Sequence, residues 1–189
     1  MPVSKPQILQ LLKLINTNYP NNKYEVTDGL VNTWQALLGH YDFTAIQAAT
    51  MKTFGTCKFP PVAADIIGEL KGLMALGLPS KGEAWEIACD AVAYCGLARY
   101  EKGEKVLTDR SPLVLEAVKQ LGGLQAIDEA NNAEVIRGQF MRIYEELLGR
   151  TVERGVTSPA VLEAARLLGH SAQRMLTGGG ADDDFQEED

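Results

Sequence analysis

Residues 99–110 hold the densest set of side chains able to grip a charged ligand. Arg99, Lys102, Lys105 and Arg110 supply four cations and Tyr100 an aromatic ring. That combination lets guanidinium and ammonium groups hold phosphates while a ring stacks on a single-stranded base. Glu101, Glu104 and Asp109 cancel most of the charge, so a solvated loop or short hairpin explains the stretch better than a nucleic-acid site, and direct DNA contact stays open. Glu145 and Glu146 sit between Arg142 and Arg150, a pattern that reads as ion pairs along a helix face rather than a general acid and base. Arg137, Arg142, Arg150 and Arg154 make at most a weak basic edge, because Glu134, Glu145, Glu146 and Glu153 share their segment.

Other reactive groups have no company. His40 and His170 lie far apart in sequence with no catalytic or metal-ligating partner beside them,. Cys57, Cys89 and Cys95 form no CxxC pair, and the six-residue spacing of the last two puts them off a common helical face, favouring buried thiols over a redox couple,. No phosphate-cradling GxxxxGK[ST] loop, GxGxxG turn, GxSxG elbow or HExxH pair occurs,. The chain is therefore read as a non-enzyme with no metal and no cofactor.

The C-terminus looks more like a binding element. A final amphipathic helix bearing Leu168, Met175 and Leu176 runs into Asp182, Asp183, Asp184, Phe185, Glu187 and Glu188. This makes an acidic peptide with one apolar anchor, suited to a basic groove on a partner protein. A purely solubilising tail is the competing reading, but it leaves Phe185 without a purpose.

Charge and hydropathy narrow the class further. The 189-residue chain carries a formal charge of −7, yet 182–189 contributes six carboxylates and no base, leaving 19 acids against 18 bases elsewhere. Such a body lacks the broad positive field of non-specific nucleic-acid binders. No apolar run approaches membrane-spanning length and no signal-peptide pattern opens the chain,. With an odd number of cysteines, these features predict a protein of a reducing cytoplasm with no membrane partner.

Apolar spacing predicts an all-α fold: an N-terminal four-helix module over 1–78, a second helical module over 79–176, and a disordered acidic tail over 177–189. Ser4-x-x-Gln7 caps a first helix with Ile8, Leu11, Leu12 and Ile15 inward,. Thr27 or Asp28 caps a second, with Leu30, Trp34, Leu37, Leu38 and Tyr41 in one stripe, and Asp42 caps a third,. Pro60-Pro61 introduces the fourth,. After the Gly77-Leu78-Pro79-Ser80 joint, Ser80-x-x-Glu83 repeats the capping signature, and Ser111-Pro112 and Ser158-Pro159 open later helices,. The strongest periodicity covers about 133–152, through Ile136, Phe140, Ile143, Tyr144 and Leu147,.

The segments ILQLLKLINTNYPN, WQALLGHYDF and KFPPVAADIIGEL resemble the N-terminal domain of the replicative-helicase loader/inhibitor family of tailed phages and prophages of Gram-positive bacteria. The features that carry this resemblance are Tyr19-Pro20, Trp34 with Tyr41-Asp42, and Phe59-Pro60-Pro61 with Asp65-Ile66. Downstream, Ala84-Trp85, Ser111-Pro112, Leu121-Gly122-Gly123 and Arg137-x-x-Phe140-x-x-x-Tyr144 look similar to the same proteins, extending the resemblance over about 1–150. It implies a helical bundle followed by a flexible C-terminal part that carries helicase contacts. The implied protein binds the hexameric replicative helicase, restrains it while free, and delivers it to origin DNA through a phage initiator protein. The missing phosphate loop separates it from ATP-dependent loaders. Two alternatives from other classes are a DNA-binding replisome organiser, resting on the 99–110 stretch and the arginines of the 133–152 helix, and an all-helical structural connector that closes into a ring unaided.

Overall fold

The computed structural model describes residues 3–95 and 100–177, with side chains described over 3–94 and 100–170. Its regular elements are α1 (Lys5–Asn18), α2 (Asp28–Leu38), α3 (Phe43–Phe54), α4 (Ala63–Leu76), α5 (Lys81–Cys95), α6 (Tyr100–Arg110), α7 (Pro112–Leu121), α8 (Leu124–Asp128), α9 (Ala133–Val156) and α10 (Pro159–Thr177). No strand occurs among the described residues, as the absence of apolar alternation requires. The tail beyond Thr177 lies outside the described residues.

Local chemistry sets the helix starts. The Ser4 N–H and hydroxyl both donate to Gln7 Oε1 at 2.9 Å. Thr27 Oγ1 accepts the Leu30 N–H, and Asp42 Oδ1 accepts the Thr44 N–H, each satisfying a donor that the first helical turn leaves without an intrahelical acceptor. That bond holds the Asp42 carboxyl below its ordinary pKa. At the joint between α4 and α5, the Ser80 N–H donates to Glu83 Oε2 at 2.8 Å and the Glu83 N–H to Ser80 Oγ at 3.3 Å. The capping box written as Ser80-x-x-Glu83 is therefore made.

Two apolar cores result. The first joins Ile8, Leu11, Leu12 and Ile15 of α1 to Trp34, Ile46, Ile66 and Leu70 of the next three helices, and takes in Val156 from the end of α9. The second gathers α5, α7 and α8 around Phe140 and Tyr144 of α9, both fully buried. Phe140 packs against the Trp85 ring with centroids 5.4 Å apart, and the Tyr144 hydroxyl donates to the Pro79 carbonyl at 2.7 Å. α9 thus reaches both cores. Outside them, Lys81 pairs with Glu145 at 3.0 Å and Lys71 with Glu153 at 2.7 Å. These ion pairs are exposed and each contributes little.

Several details differ from the sequence expectation. Residues 100–110 form helix α6, not a loop or hairpin: Leu107 and Gly103 are buried against α5 and α7, and that packing outweighs a polar, glycine-containing composition. The α2 stripe runs through Val31, Trp34 and Leu38, leaving Leu37 exposed and Tyr41 beyond the helix. Pro60-Pro61 stops short of α4, whose N-cap is Val62. The connector before Asn131 contains the short helix α8, entered through Gly122 and Gly123, both at positive φ, a conformation that only glycine adopts without strain.

Because Phe140 is fully buried where α9 meets Trp85, Phe140→Ala should lower unfolding free energy by about 3–5 kcal/mol. Met51→Ala, on an exposed face of α3, should stay within about 0.5 kcal/mol. Urea unfolding followed by circular dichroism compares them; equal midpoints would show that α9 does not anchor the second core.

Candidate partner-binding surfaces

The C-terminal surface is built outward from the end of α9. Tyr41, just past α2, donates its hydroxyl to the Val156 carbonyl, and the His40 ring lies over Tyr41 with centroids 3.9 Å apart. Met74 of α4 occupies the space over Gly155 that a Cβ there would fill. The Thr157 N–H and hydroxyl both return to the Glu153 carbonyl, ending α9. Burial keeps the His40 imidazole below the usual histidine value of 6.5, with the Val156 carbonyl pulling weakly the other way,.

From this anchored end, Ser158 and Pro159 start α10 as the Ser-Pro signal predicts, with the Val161 N–H donating to Ser158 Oγ. Every described side chain of α10, from Pro159 to His170, is exposed. Val161, Ala165 and Leu168 share one face at helical spacing, with Leu162 at its edge. Leu168, the one C-terminal candidate whose side chain is described, is 72% exposed. Met175 and Leu176 continue α10, but their side chains are outside the described set. Asp183, Phe185 and Glu187 lie outside the described residues.

The candidates of the 99–110 stretch are placed on different sides. Arg99 lies outside the described residues. Tyr100 opens α6 and donates its hydroxyl to Asp128 Oδ2 at 2.7 Å. Lys102 and Lys105 point outward with Glu101 and Asp109 around them, while Arg110 lines a cleft between α5 and α6. Helical geometry therefore separates the aromatic ring from the two lysines. Glu146 pairs with Arg150 as expected, whereas Glu145 is taken by Lys81. Cys89 is half-buried and its thiol is raised by burial. Among the described residues, no three His, Cys, Asp or Glu side chains are grouped to hold a metal. No described helix is long and apolar enough to cross a membrane.

A third surface carries none of the candidate residues read from the sequence. The loop of residues 57–62 is held from behind by two tyrosines of the α1–α2 connector. The Tyr19 hydroxyl donates to the Cys57 carbonyl at 2.9 Å, and the Tyr24 hydroxyl to those of Pro60 and Pro61 at 3.3 and 3.1 Å. Tyr24 is itself clamped by Asn16, whose side chain exchanges two hydrogen bonds with the Tyr24 backbone, and its ring meets Trp34 edge-on. Burial, then the nearby Asp65 charge, raises the Tyr24 pKa, so the hydroxyl stays a donor. Pro61 is buried and Lys58 exposed, and Phe59 points away from the core at 70% exposure. The available signal was an aromatic residue between a lysine and two prolines, where no helix stripe can absorb it.

The first four helices with this braced loop define a compact helical module of a known kind. Residues 4–67 match the family model described as G39P, N-terminal domain, the domain of a phage helicase loader/inhibitor family. The resemblance read from Tyr19-Pro20, Trp34 and Phe59-Pro60-Pro61 therefore holds over that segment, and residues 68–189 lie outside the match. No curated protein and no solved structure matches the chain. Residues 4–67 are thus similar to that N-terminal domain, a likeness that covers about a third of the chain.

Neutral His40 is favoured in the fold, so its contribution is complete above pH 6.5 and is lost as pH falls, because the unfolded chain takes up the proton first,. Between pH 7 and pH 5 the urea midpoint of His40→Gln should fall less than that of the wild type. Parallel pH profiles would show that His40 is not linked to folding.

Proposed function

We propose that this chain is a phage DNA-replication protein that binds a hexameric replicative helicase in the host cytoplasm. In this reading it restrains the free ring, then passes it to origin DNA through a phage initiator protein, without ATPase activity of its own. The observation that carries the reading is the match of residues 4–67 to the helicase loader/inhibitor domain. The exposed apolar face of α10 supports it: Val161, Leu162 and Leu168 are solvent-facing on a helix launched from an anchored end, as a partner-binding helix requires.

A loader that hydrolyses no nucleotide acts only through differential binding, stabilising one ring state or assembly over its alternatives. We assign the helicase grip to α10 and the tail, with Leu168, Met175, Leu176, Asp183, Phe185 and Glu187 as its contacts. The N-terminal bundle is then left for the initiator. DNA contact through Lys102, Lys105 and Arg110 is the second reading; the acids around the two lysines weaken it,.

Light scattering on a sizing column, comparing chain, cognate helicase and their mixture with nucleotide, should reveal a defined complex. Truncation to residues 1–172 should abolish or sharply weaken it while the circular dichroism remains helical. Unchanged affinity in the truncated chain refutes the C-terminal placement. Absence of a complex under every nucleotide condition, with DNA affinity falling steeply in salt, favours the DNA-binding reading.

A further inference from the structure

The braced 57–62 loop has a counterpart elsewhere on the same chain. Along the outer side of α5 runs a groove made of two adjoining clefts that share Ile87 and Asp90. One, of about 470 Å³, lies between α5 and α6, with Ala91, Tyr94, Val106 and Leu107 as apolar lining and Arg110 at its edge. The other, of about 510 Å³, reaches Leu76 and Leu78 past the end of α4 and is rimmed by Glu83 and Glu86. Leu76 is 78% exposed and Tyr94 70%, so the groove is apolar at both ends. Among the described residues, three carboxylates against one arginine make it acidic. Glu83 is engaged with the Ser80 N–H, whereas Glu86 and Asp90 make no ion pair among the described residues.

This groove calls for a short segment with an apolar anchor and a positive charge beside it. Lys58-Phe59 has that chemistry and is already rigid. The prolines and the three tyrosine hydrogen bonds restrain its backbone, so little ordering entropy opposes docking. The two surfaces cannot meet within one chain. The loop is tied to the N-terminal end of α4 and the groove opens at its C-terminal end, with 14 helical residues between them, about 21 Å of stiff helix.

We propose that Lys58 and Phe59 of one copy of this chain dock in the α5 groove of a second copy, Phe59 against Ile87 and Ala91 and Lys58 toward Asp90 and Glu86. The contact is heterologous: each docked copy keeps one free loop or one free groove, so copies add head to tail. The interface is one anchor with a flanking charge, and association is accordingly weak and concentration-dependent.

Sedimentation velocity of the full-length chain, from low micromolar to hundreds of micromolar, tests this without any helicase, so its result is separate from that of the helicase-binding experiment. The mass should rise with concentration. Phe59→Ala and Asp90→Lys, both at exposed positions, should keep wild-type circular dichroism and each weaken association about tenfold or more. Mixing the two variants is the decisive arm, because the first keeps an intact groove and the second an intact loop. They should pair one to one and extend no further. A single-copy mass for the wild type at every concentration, wild-type association by either variant, or failure of the mixture to pair overturns the proposal.

Discussion

The rest of the molecule depends on α9 being one stiff helix with apolar residues in two cores. Phe140 and Tyr144 fill the second core, and Val156 closes the first. A helix of 24 residues spans about 36 Å without bending cheaply,. Its register therefore couples Trp85 at one end to Tyr41 and Met74 at the other. Slipping α9 by one residue would rotate Phe140 and Val156 out of their cores together. The cost would be at least the roughly 1.5–3 kcal/mol of each buried side chain.

That coupling sets where the binding surfaces stand. α10 starts three residues after Val156, so the direction in which its apolar face is offered follows from the Tyr41 bond and the Thr157 stop. At the opposite end of the first bundle, Tyr19 and Tyr24 hold the 57–62 loop outward. In both places an exposed apolar side chain is supported by polar contacts of the backbone behind it. This arrangement limits the ordering cost of binding a macromolecule, and it suits a protein proposed to act by choosing among assemblies rather than by catalysing a reaction.

Much of the helical plan was legible in the residues. Ser4, Thr27, Asp42 and Ser80 announce helix starts because a side-chain oxygen can satisfy an orphan N–H within one turn. Ile8, Leu11, Leu12 and Ile15 announce a buried face because a helix repeats every 3.6 residues. Residues 100–110 were not legible. Their charges and Gly103 read as a loop, and only the neighbouring α5 and α7, which bury Leu107, make a helix favourable there. The candidate binding residues were legible in type but not in arrangement: nothing local separates Tyr100 from Lys102 and Lys105 or ties it to Asp128.

The sequence by itself determined the helical class, the capping sites, the inward face of α1, the Phe140 and Tyr144 face of α9, and the likeness of residues 4–67 to a known domain, all of which depend on spacings within a few turns or on a contiguous motif. Tertiary structure alone decided that Val156 joins a core assembled from residues more than eighty positions earlier, that the Tyr41 hydroxyl meets the Val156 carbonyl, and that Phe59 faces solvent while Pro61 is buried. The physical reason is range. Capping and periodicity act through bonds inside one helix, whereas these contacts exist only after separate helices have packed and excluded water between them.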